Sequence, residues 1–373
     1  MSRYSRILPS AGQTSKMIPI TLPSPASLQS PVSPSFFEQC LVLYDTGVYS
    51  RRKFILPVAV MAVALIAACS CGPEVAPPAK ITVDSSPDRV ARGKYLYTVV
   101  ADCDSCHGER DYSRLYAPVT ASGKGSALIL QGLPGKIVAP NLTADRETGL
   151  GDWTDGEKIR AIREGISKDG HVLHPTMPYP SYFYMSDVDV QALVAYMNTL
   201  PAIRNLLPRT ELPPDIVKKI RGTPRPEREP VPPANPANQR SYGEYLVTIA
   251  YCEECHTPQT KGGTPDISRR YAGGQVFRTP YGSVVSANIT PDKDTGIGNW
   301  DFARFRDRLR TFPKEYSGVD KLPKIGSDRF TLMHYIAYAG FTDDDMAAIF
   351  AFLQVQAPVK QNVEPHPATL PAN

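Results

Sequence analysis

The chain has 373 residues, enough for two domains of ordinary size, and its 42% hydrophobic content does not suggest a protein with many membrane spans. The formal charge of +4 comes from the first 68 residues, which hold six of the 41 Lys and Arg and two of the 37 Asp and Glu, leaving 35 of each in the remainder. Because nucleic-acid binding needs a surplus of basic charge on one face, no nucleic-acid partner is expected.

The N-terminal segment has the composition of a leader. Residues 1–50 are rich in Ser and Pro and lack sustained periodicity, so they are predicted to be disordered or to precede the true start site. Residues 51–68 begin with Arg-Arg-Lys and continue with fifteen mostly apolar residues, the length of an export signal's apolar region and shorter than a membrane span. We therefore predict a signal sequence over 51–68 and a periplasmic location.

Cys69 follows this apolar run directly, after Ile66-Ala67-Ala68. The pattern resembles the lipobox of bacterial lipoproteins, in which the cysteine is acylated and becomes the new N-terminus. The alternative is an ordinary cleaved signal with a cysteine nearby by chance. The lipobox interpretation predicts a membrane anchor at Cys69, followed by a Pro/Ala-rich tether over 69–86.

Two five-residue stretches carry the clearest chemical signal. Residues 103–107 read Cys-Asp-Ser-Cys-His and residues 252–256 read Cys-Glu-Glu-Cys-His, and both fit C-x-x-C-H, the pattern of covalent c-type haem attachment. On one helical turn, residues three and four apart share a face, so two thiols and an imidazole can address one macrocycle. The predicted haem-binding residues are Cys103, Cys106, His107, Cys252, Cys255 and His256.

A single C-x-x-C pair has other interpretations, namely half a zinc site, a redox dithiol or a disulfide. In both copies a histidine follows immediately, and neither zinc nor dithiol chemistry needs it there. Haem is therefore favoured, and the remaining alternative is a zinc site that pools the four cysteines of the two motifs. The other three cysteines, Cys40, Cys69 and Cys71, lie upstream of both motifs.

The chain contains an internal repeat. A Gly-x-Tyr-Leu stretch precedes each motif, at 93–96 and 243–246, and a block N-[LI]-T-x-D-x-x-T-G-[LI]-G-x-W follows each, at 141–153 and 288–300. The offset between the copies stays at 147 to 150 residues, which indicates domain duplication. The predicted organisation is a first domain over 87–200, a connector with ten prolines over 201–236, a second domain over 237–357 and a disordered tail over 358–373.

Helices are predicted from capping signals at matching places in the two copies. Each copy is expected to close with a helix, because a Ser or Thr is followed three residues later by an Asp and then by apolar residues at helical spacing. Another helix is expected after each tryptophan. The capping residues are Ser186 with Asp189, Thr342 with Asp345, Thr154 with Glu157 before 155–166, and Asp301 before 302–311.

The sixth iron ligand must come from later in each repeat, and a methionine thioether is the choice that favours reduced iron. Met177 and Met333 both lie in predicted loops, nine residues before the cap of the closing helix. The other candidates, Met185, Met197 and Met346, lie at or inside helices, where methionine is more often a core residue. The predicted iron ligands are His107, Met177, His256 and Met333.

His334 leaves an alternative open in the second repeat. It follows Met333 directly, and His/His ligation would lower the potential of that haem. Trp153 and Trp300, the only two tryptophans, also occupy matching positions. They are either core residues or donors of an indole N–H to a haem propionate, because a buried indole needs a partner.

From about residue 87 to 357 the chain resembles two tandem class I cytochrome c domains, similar to the cytochrome subunits of bacterial membrane-associated dehydrogenases. The resemblance rests on the two C-x-x-C-H motifs, the repeated block and Met177-Pro178-Tyr179. The second repeat departs from the family pattern, since Met333-His334 stands where Met-Pro is usual. A third cytochrome domain that some relatives have is not expected.

The resemblance implies an all-α fold in which short helices and long loops surround each of two covalently attached haem c groups, and in which helices cross at Gly93 and Gly243. It also implies an electron relay, rather than an enzyme with catalytic residues of its own, between a dehydrogenase or quinol-linked donor and a terminal acceptor. Its partners would be a dehydrogenase subunit, a terminal oxidase or a small cytochrome. The alternative is a dihaem redox enzyme of the peroxidase or thiosulfate-oxidising type, with one open haem site.

Overall fold

The computed structural model describes residues 77–111, 118–127, 135–221, 230–261, 263–279, 282–315 and 331–367. They belong to one compact unit, Gly72–Asn373. The predicted leader, the signal sequence and Cys69 lie outside the described residues. Across the described ranges, no helix has both the length and the apolar character that a bilayer span requires.

The described residues of the first repeat form five helices. The first of them, Pro87–Tyr95, continues directly into a π-helical segment, Leu96–Val100, and the first C-x-x-C-H motif follows within a few residues. The helices are α1 (Pro87–Tyr95), α2 (Asp104–His107), α3 (Asp155–Glu164), α4 (Tyr179–Tyr182) and α5 (Asp187–Met197).

The connector contains a helix that its proline content did not predict, α6 (Pro214–Arg221). In the part of the second repeat that the structure describes, five helices follow in the same order as in the first, with a short 3₁₀ turn at Ile267–Arg269. They are α7 (Gln239–Ile249), α8 (Cys252–His256), α9 (Phe302–Glu315), α10 (Tyr335–Tyr338) and α11 (Asp343–Leu353).

Within the described ranges, three small antiparallel strand pairs correct the expectation of a purely helical fold. They occur in the long loops, where backbone groups without a helical partner still need hydrogen bonds. The mainly helical architecture is as expected, with the strands as local hairpins. The pairs are β1 (Glu109–Arg110) with β2 (Val119–Ala121), β3 (Ser126–Ala127) with β4 (Val138–Ala139), and β5 (Val276–Thr279) with β6 (Gly282–Val285).

The predicted helix caps are confirmed. Thr154 and Glu157 form a reciprocal capping box at the start of α3. The hydroxyls of Ser186 and Thr342 accept backbone N–H bonds at the starts of α5 and α11. Helix α3 ends two residues before its predicted limit, because Gly165 adopts a left-handed conformation with φ 67° that terminates it.

The first and last helices of each repeat cross at a glycine, as expected. A Cβ atom on Gly93 would lie 1.8 Å from the carbonyl oxygen of Ala192, and one on Gly243 would lie 1.9 Å from that of Ala348. The obstacle is backbone in both cases, so no rotamer change could relieve the collision. These contacts bring α1 against α5 and α7 against α11.

The two repeats share one hydrophobic core. Buried residues of both repeats, such as Leu96 and Leu246, belong to a single apolar cluster. Helix α10 of the second repeat packs on the π-helical segment of the first, and α4 of the first packs on α7 of the second. The contacts between the repeats are therefore reciprocal.

Segments outside the two repeats also lie against them. Val83, in the predicted tether, is buried and donates its N–H to Asp155 at 2.9 Å. In the predicted tail, the carbonyl of Pro365 accepts from the N–H of Val285 at 2.9 Å. The described parts of both segments, 77–86 and 358–367, are thus packed on the repeats through backbone hydrogen bonds that composition does not reveal.

Candidate cofactor site

Each C-x-x-C-H motif begins after a residue with a left-handed backbone. Asp102 has φ 40° and Tyr251 has φ 42°, and each directly precedes the first cysteine of its motif. Such a conformation is unfavourable for residues other than glycine and is often found at functional sites. It turns the chain sharply from the preceding helix into the short helix that carries the cysteines and the histidine.

Both motif histidines are held by a backbone carbonyl. Nδ1 of His107 lies 2.8 Å from the oxygen of Pro140, and Nδ1 of His256 lies 2.7 Å from that of Ala287. A carbonyl can only accept, so Nδ1 carries the proton and Nε2 keeps its lone pair. Burial lowers the pKa of both imidazoles, which favours the neutral form that binds a metal.

The four motif cysteines are unpaired, and their environment does not favour thiolate chemistry. Burial raises the pKa of the Cys103 and Cys106 thiols, and it raises the pKa of Cys252 to about 12 and that of Cys255 to about 11. A raised pKa leaves little thiolate for redox dithiol exchange at neutral pH. Among the described residues, no three His, Cys, Asp or Glu side chains converge, so the four cysteines do not form the pooled zinc site.

A cavity of about 2380 Å³ joins the neighbourhoods of the two motifs. From the first repeat it is lined by Cys103, Cys106, His107 and Met177. From the second repeat it is lined by Cys255, Met333 and His334, while Cys252 and His256 are not among its described lining residues. The connector supplies apolar walls, including Leu207, Val217 and Ile220.

The two methionine loops have the same backbone conformation. Pro178, after Met177, has φ −76° and ψ 44°, and His334, after Met333, has φ −74° and ψ 45°. The carbonyl of each methionine accepts the N–H of the residue two positions later, at 2.7 and 2.8 Å. The other candidates differ: Met185 and Met346 are fully buried in the core, and Met197 lies in α5, although it also contacts the cavity.

Part of the chain matches a known protein family. Residues 90–201 match the family model described as cytochrome c. A protein of Cereibacter sphaeroides described as diheme cytochrome c-type is 31% identical over 216 residues, which cover 54% of this chain and 68% of that protein. The chain belongs to the cytochrome c family.

Two further relatives of the cytochrome are subunits of dehydrogenases. The gluconate 2-dehydrogenase cytochrome c subunit of Pantoea cypripedii is 30% identical, and the match covers 71% of this chain and 59% of that subunit. The alcohol dehydrogenase (quinone) cytochrome c subunit of Gluconacetobacter polyoxogenes is 30% identical, with 74% of this chain and 58% of the subunit covered. The cytochrome thus spans less than two thirds of these relatives.

Membership of the family implies covalently bound haem c, and the residues present fit that group. Paired thiols, a neutral imidazole with a free Nε2 and a methionine in a loop line one largely apolar cavity in the first repeat. The second repeat has the same residue types in the same local backbone. The role of each residue as a haem or iron ligand stays a prediction.

The repeated Asn-x-Thr block of the cytochrome braces the loop whose backbone carbonyl contacts the motif histidine. The amide of Asn141 donates to the carbonyl of Ile203 at 2.7 Å, and its oxygen accepts from the N–H of Thr143 at 2.9 Å. Asn288 makes the equivalent bonds in the second repeat, to Val359 at 2.8 Å and from Thr290 at 2.9 Å. Because Asn141 follows Pro140, the block fixes the carbonyl that orients His107.

The two tryptophans differ in their surroundings. Both pack against the hydrophobic core, but Trp153 also lines the cavity, and Trp300 instead has the guanidinium of Arg304 4.7 Å from its ring centroid. For both residues, the role as a core residue or as a hydrogen-bond donor to a haem propionate stays a prediction.

A contact between the repeats was missed by the sequence analysis. Nδ1 of His334 lies 2.7 Å from Oδ2 of Asp102, and Nε2 of His334 lies 3.1 Å from the hydroxyl of Tyr251. Asp102 and His334 are 232 positions apart in the sequence, and no local pattern connects them. Both ring nitrogens of this histidine therefore have protein partners.

Proposed function

We propose that this cytochrome is a periplasmic electron relay with two covalently attached haem c groups in two tandem class I domains. In the first domain His107 and Met177 ligate the iron, and in the second His256 and Met333 do so. Haem supplies reversible one-electron exchange at the iron. The observation that carries the proposal is the common cavity, since residues from both motifs and both methionine loops line it.

The protein's own groups prepare each site for that chemistry. The carbonyls of Pro140 and Ala287 hold the proton on Nδ1 and leave Nε2 free, which fixes the orientation of the proximal rings. The largely apolar lining of the cavity would lower the local polarity around the haem, and a methionine ligand would favour the reduced state. The contacts of His334 favour a relay over the dihaem enzyme, because its imidazole is occupied by Asp102 and Tyr251.

The relatives suggest what the relay serves. Because several relatives are dehydrogenase subunits, the expected donor is a dehydrogenase or a quinol-linked complex, and the acceptor is a terminal oxidase or small cytochrome. Acylation of Cys69 would keep the protein at the membrane. Replacing Cys69 with Ser should move the protein from the membrane fraction to the soluble fraction, and co-purification from membranes should identify the partner.

A pyridine haemochrome assay and the methionine-to-iron charge-transfer band test the haem assignment. We expect two haems per chain, low-spin iron at both sites, and loss of about half the band in each of Met177→Ala and Met333→Ala, since each variant removes one of two equivalent ligands. High-spin iron in the unmodified protein would contradict the relay and favour the enzyme. A haem content of zero would contradict both.

A further inference from the structure

His334 places an imidazole, a strong iron ligand, beside Met333, although the backbone conformation of the loop does not require a histidine there. Pro178, its counterpart in the first repeat, has φ and ψ within 2° of those of His334, and proline favours this φ. The loop therefore forms equally well with a residue that cannot bind iron. What His334 adds is an imidazole, which competes well for iron and lowers the potential when it binds.

The imidazole of His334 contacts the residues that directly precede both C-x-x-C-H motifs, Asp102 in the first repeat and Tyr251 in the second. Asp102 Oδ2 meets Nδ1 of His334 at 2.7 Å, and the two side chains are only 10% and 20% exposed, so water screens the contact little. The other carboxylate oxygen of Asp102 lies 3.7 Å from Nη2 of Arg110. The hydroxyl of Tyr251 approaches Nε2 at 3.1 Å.

We propose that Asp102 is a positioning residue that holds His334 away from the second iron, so that Met333 remains its ligand. This role rests on the proposed ligation by Met333. It makes the ligand set of the second site depend on a residue of the first repeat. Asp102 acts through His334 and does not touch the iron of the second site itself.

The test removes the carboxylate of Asp102, first in a protein that keeps His334 and then in one that lacks it. Asp102→Gly is suitable because glycine accepts the left-handed backbone at φ 40° without strain. In the full-length haem-loaded protein, we expect this variant to lose about half of the methionine-to-iron band and to show a lowered midpoint potential for one haem only, as His replaces Met at one of two sites. The double variant Asp102→Gly, His334→Pro should regain the full band and the wild-type midpoint potential.

Two further variants separate positioning from a general effect on the fold. Asp102→Asn keeps a hydrogen-bond acceptor and a side chain that tolerates the left-handed region, so it should retain most of the band. Asp294→Ala removes an exposed carboxylate paired with Lys360 at 2.9 Å and should leave the band and both potentials unchanged. Haem content and unfolding curves measured in parallel identify any variant that fails to fold.

The outcomes are distinct. An unchanged methionine-to-iron band in Asp102→Gly would overturn the positioning role. An equal loss of the band in Asp102→Gly and in the double variant with His334→Pro would also overturn it, because the effect would then not depend on the imidazole. If Met333→Ala leaves the wild-type band intact, the proposed ligation itself fails. If Met333→Ala loses half the band but Asp102→Gly keeps it, the proposed ligation by Met333 holds and only the positioning role of Asp102 fails.

Discussion

The hydroxyl of Tyr245 donates to Oδ2 of Asp189 at 2.6 Å. This bond joins α7 of the second repeat to the first turn of α5 in the first repeat. The reciprocal contact joins Tyr95 to Asp345. Neither tyrosine is exposed, so loss of either hydroxyl leaves a carboxylate with one partner fewer in a shielded interface. We expect Tyr245→Phe and Tyr95→Phe each to lower the free energy of unfolding by about 1–3 kcal/mol, measured by urea unfolding.

Tyr184→Phe is the matched control for these two variants, because Tyr184 is 58% exposed. It should change the free energy of unfolding by less than about 0.5 kcal/mol. Tyr245→Phe should cost less than Tyr95→Phe, since Arg92 still holds Asp189 through two bonds of 2.9 and 2.8 Å. Equal effects of all three substitutions would contradict a structural role for the reciprocal contacts.

The same tyrosines predict a loss of stability at high pH. Burial, followed by the charge and hydrogen bond of a neighbouring aspartate, raises the pKa of Tyr95 and Tyr245 above the ordinary value, which the unfolded chain retains at about 10. Below pH 10 both states keep the phenol protonated and the stabilisation is complete. Above pH 10 only the unfolded chain ionises, so the free energy of unfolding falls by up to ~1.4 kcal/mol per pH unit for each tyrosine.

Urea unfolding between pH 8 and about pH 11.5, a range that brackets the ordinary tyrosine pKa, measures this effect. The double variant Tyr95→Phe, Tyr245→Phe should be less stable than the wild type at pH 8 and should lose stability more slowly as the pH rises. Parallel pH profiles for the two proteins would show that these hydroxyls do not contribute to the alkaline loss.

Gly93→Ala and Gly243→Ala should each disrupt the crossing of a repeat's first and last helices. The added Cβ would lie within 2 Å of a backbone carbonyl oxygen, at 1.8 Å and 1.9 Å respectively, so the helices must separate. We expect a loss of about 1–3 kcal/mol or more in the free energy of unfolding, together with reduced haem content. Glu244→Ala, at the exposed neighbouring position in α7, is the control and should be close to neutral.

Asn141→Ala should affect both stability and the first haem site. Asn141 is 2% exposed and bridges the loop to the connector, so its loss removes the acceptor of the Thr143 N–H and one of the two donors to the Ile203 carbonyl. We expect a cost of about 2–4 kcal/mol and a shift in the midpoint potential of one haem, because the Pro140 carbonyl loses its anchor. Asn288→Ala should shift the other haem. A stability loss with both potentials unchanged would limit the block to a structural role.

The sequence was sufficient where the determinants are local. The caps at Thr154, Ser186 and Thr342 depend on side chains that bond to backbone three residues away, so their positions could be predicted within a residue. The expected crossing at Gly93 is likewise present, because a close backbone approach there requires the missing side chain.

Features that depend on tertiary packing could not be predicted. Helix α6 lies in a segment whose prolines suggested only an extended connector, yet Pro213 and Pro214 stand at its start, where proline is tolerated. The contact of Asp102 with His334 joins loops of different repeats and depends on how these pack. The strand pairs are too short for an alternating pattern to be distinguished from loop sequence.

The single core shared by the repeats has a consequence for how the chain can be divided. Each repeat completes part of the other's interior, through the tyrosine contacts and through α4 and α10. Cutting the chain within the connector would therefore yield two fragments that stay bound to each other, and each fragment expressed alone would expose apolar surface. We therefore expect each half to fold and to take up haem efficiently only in the presence of the other half.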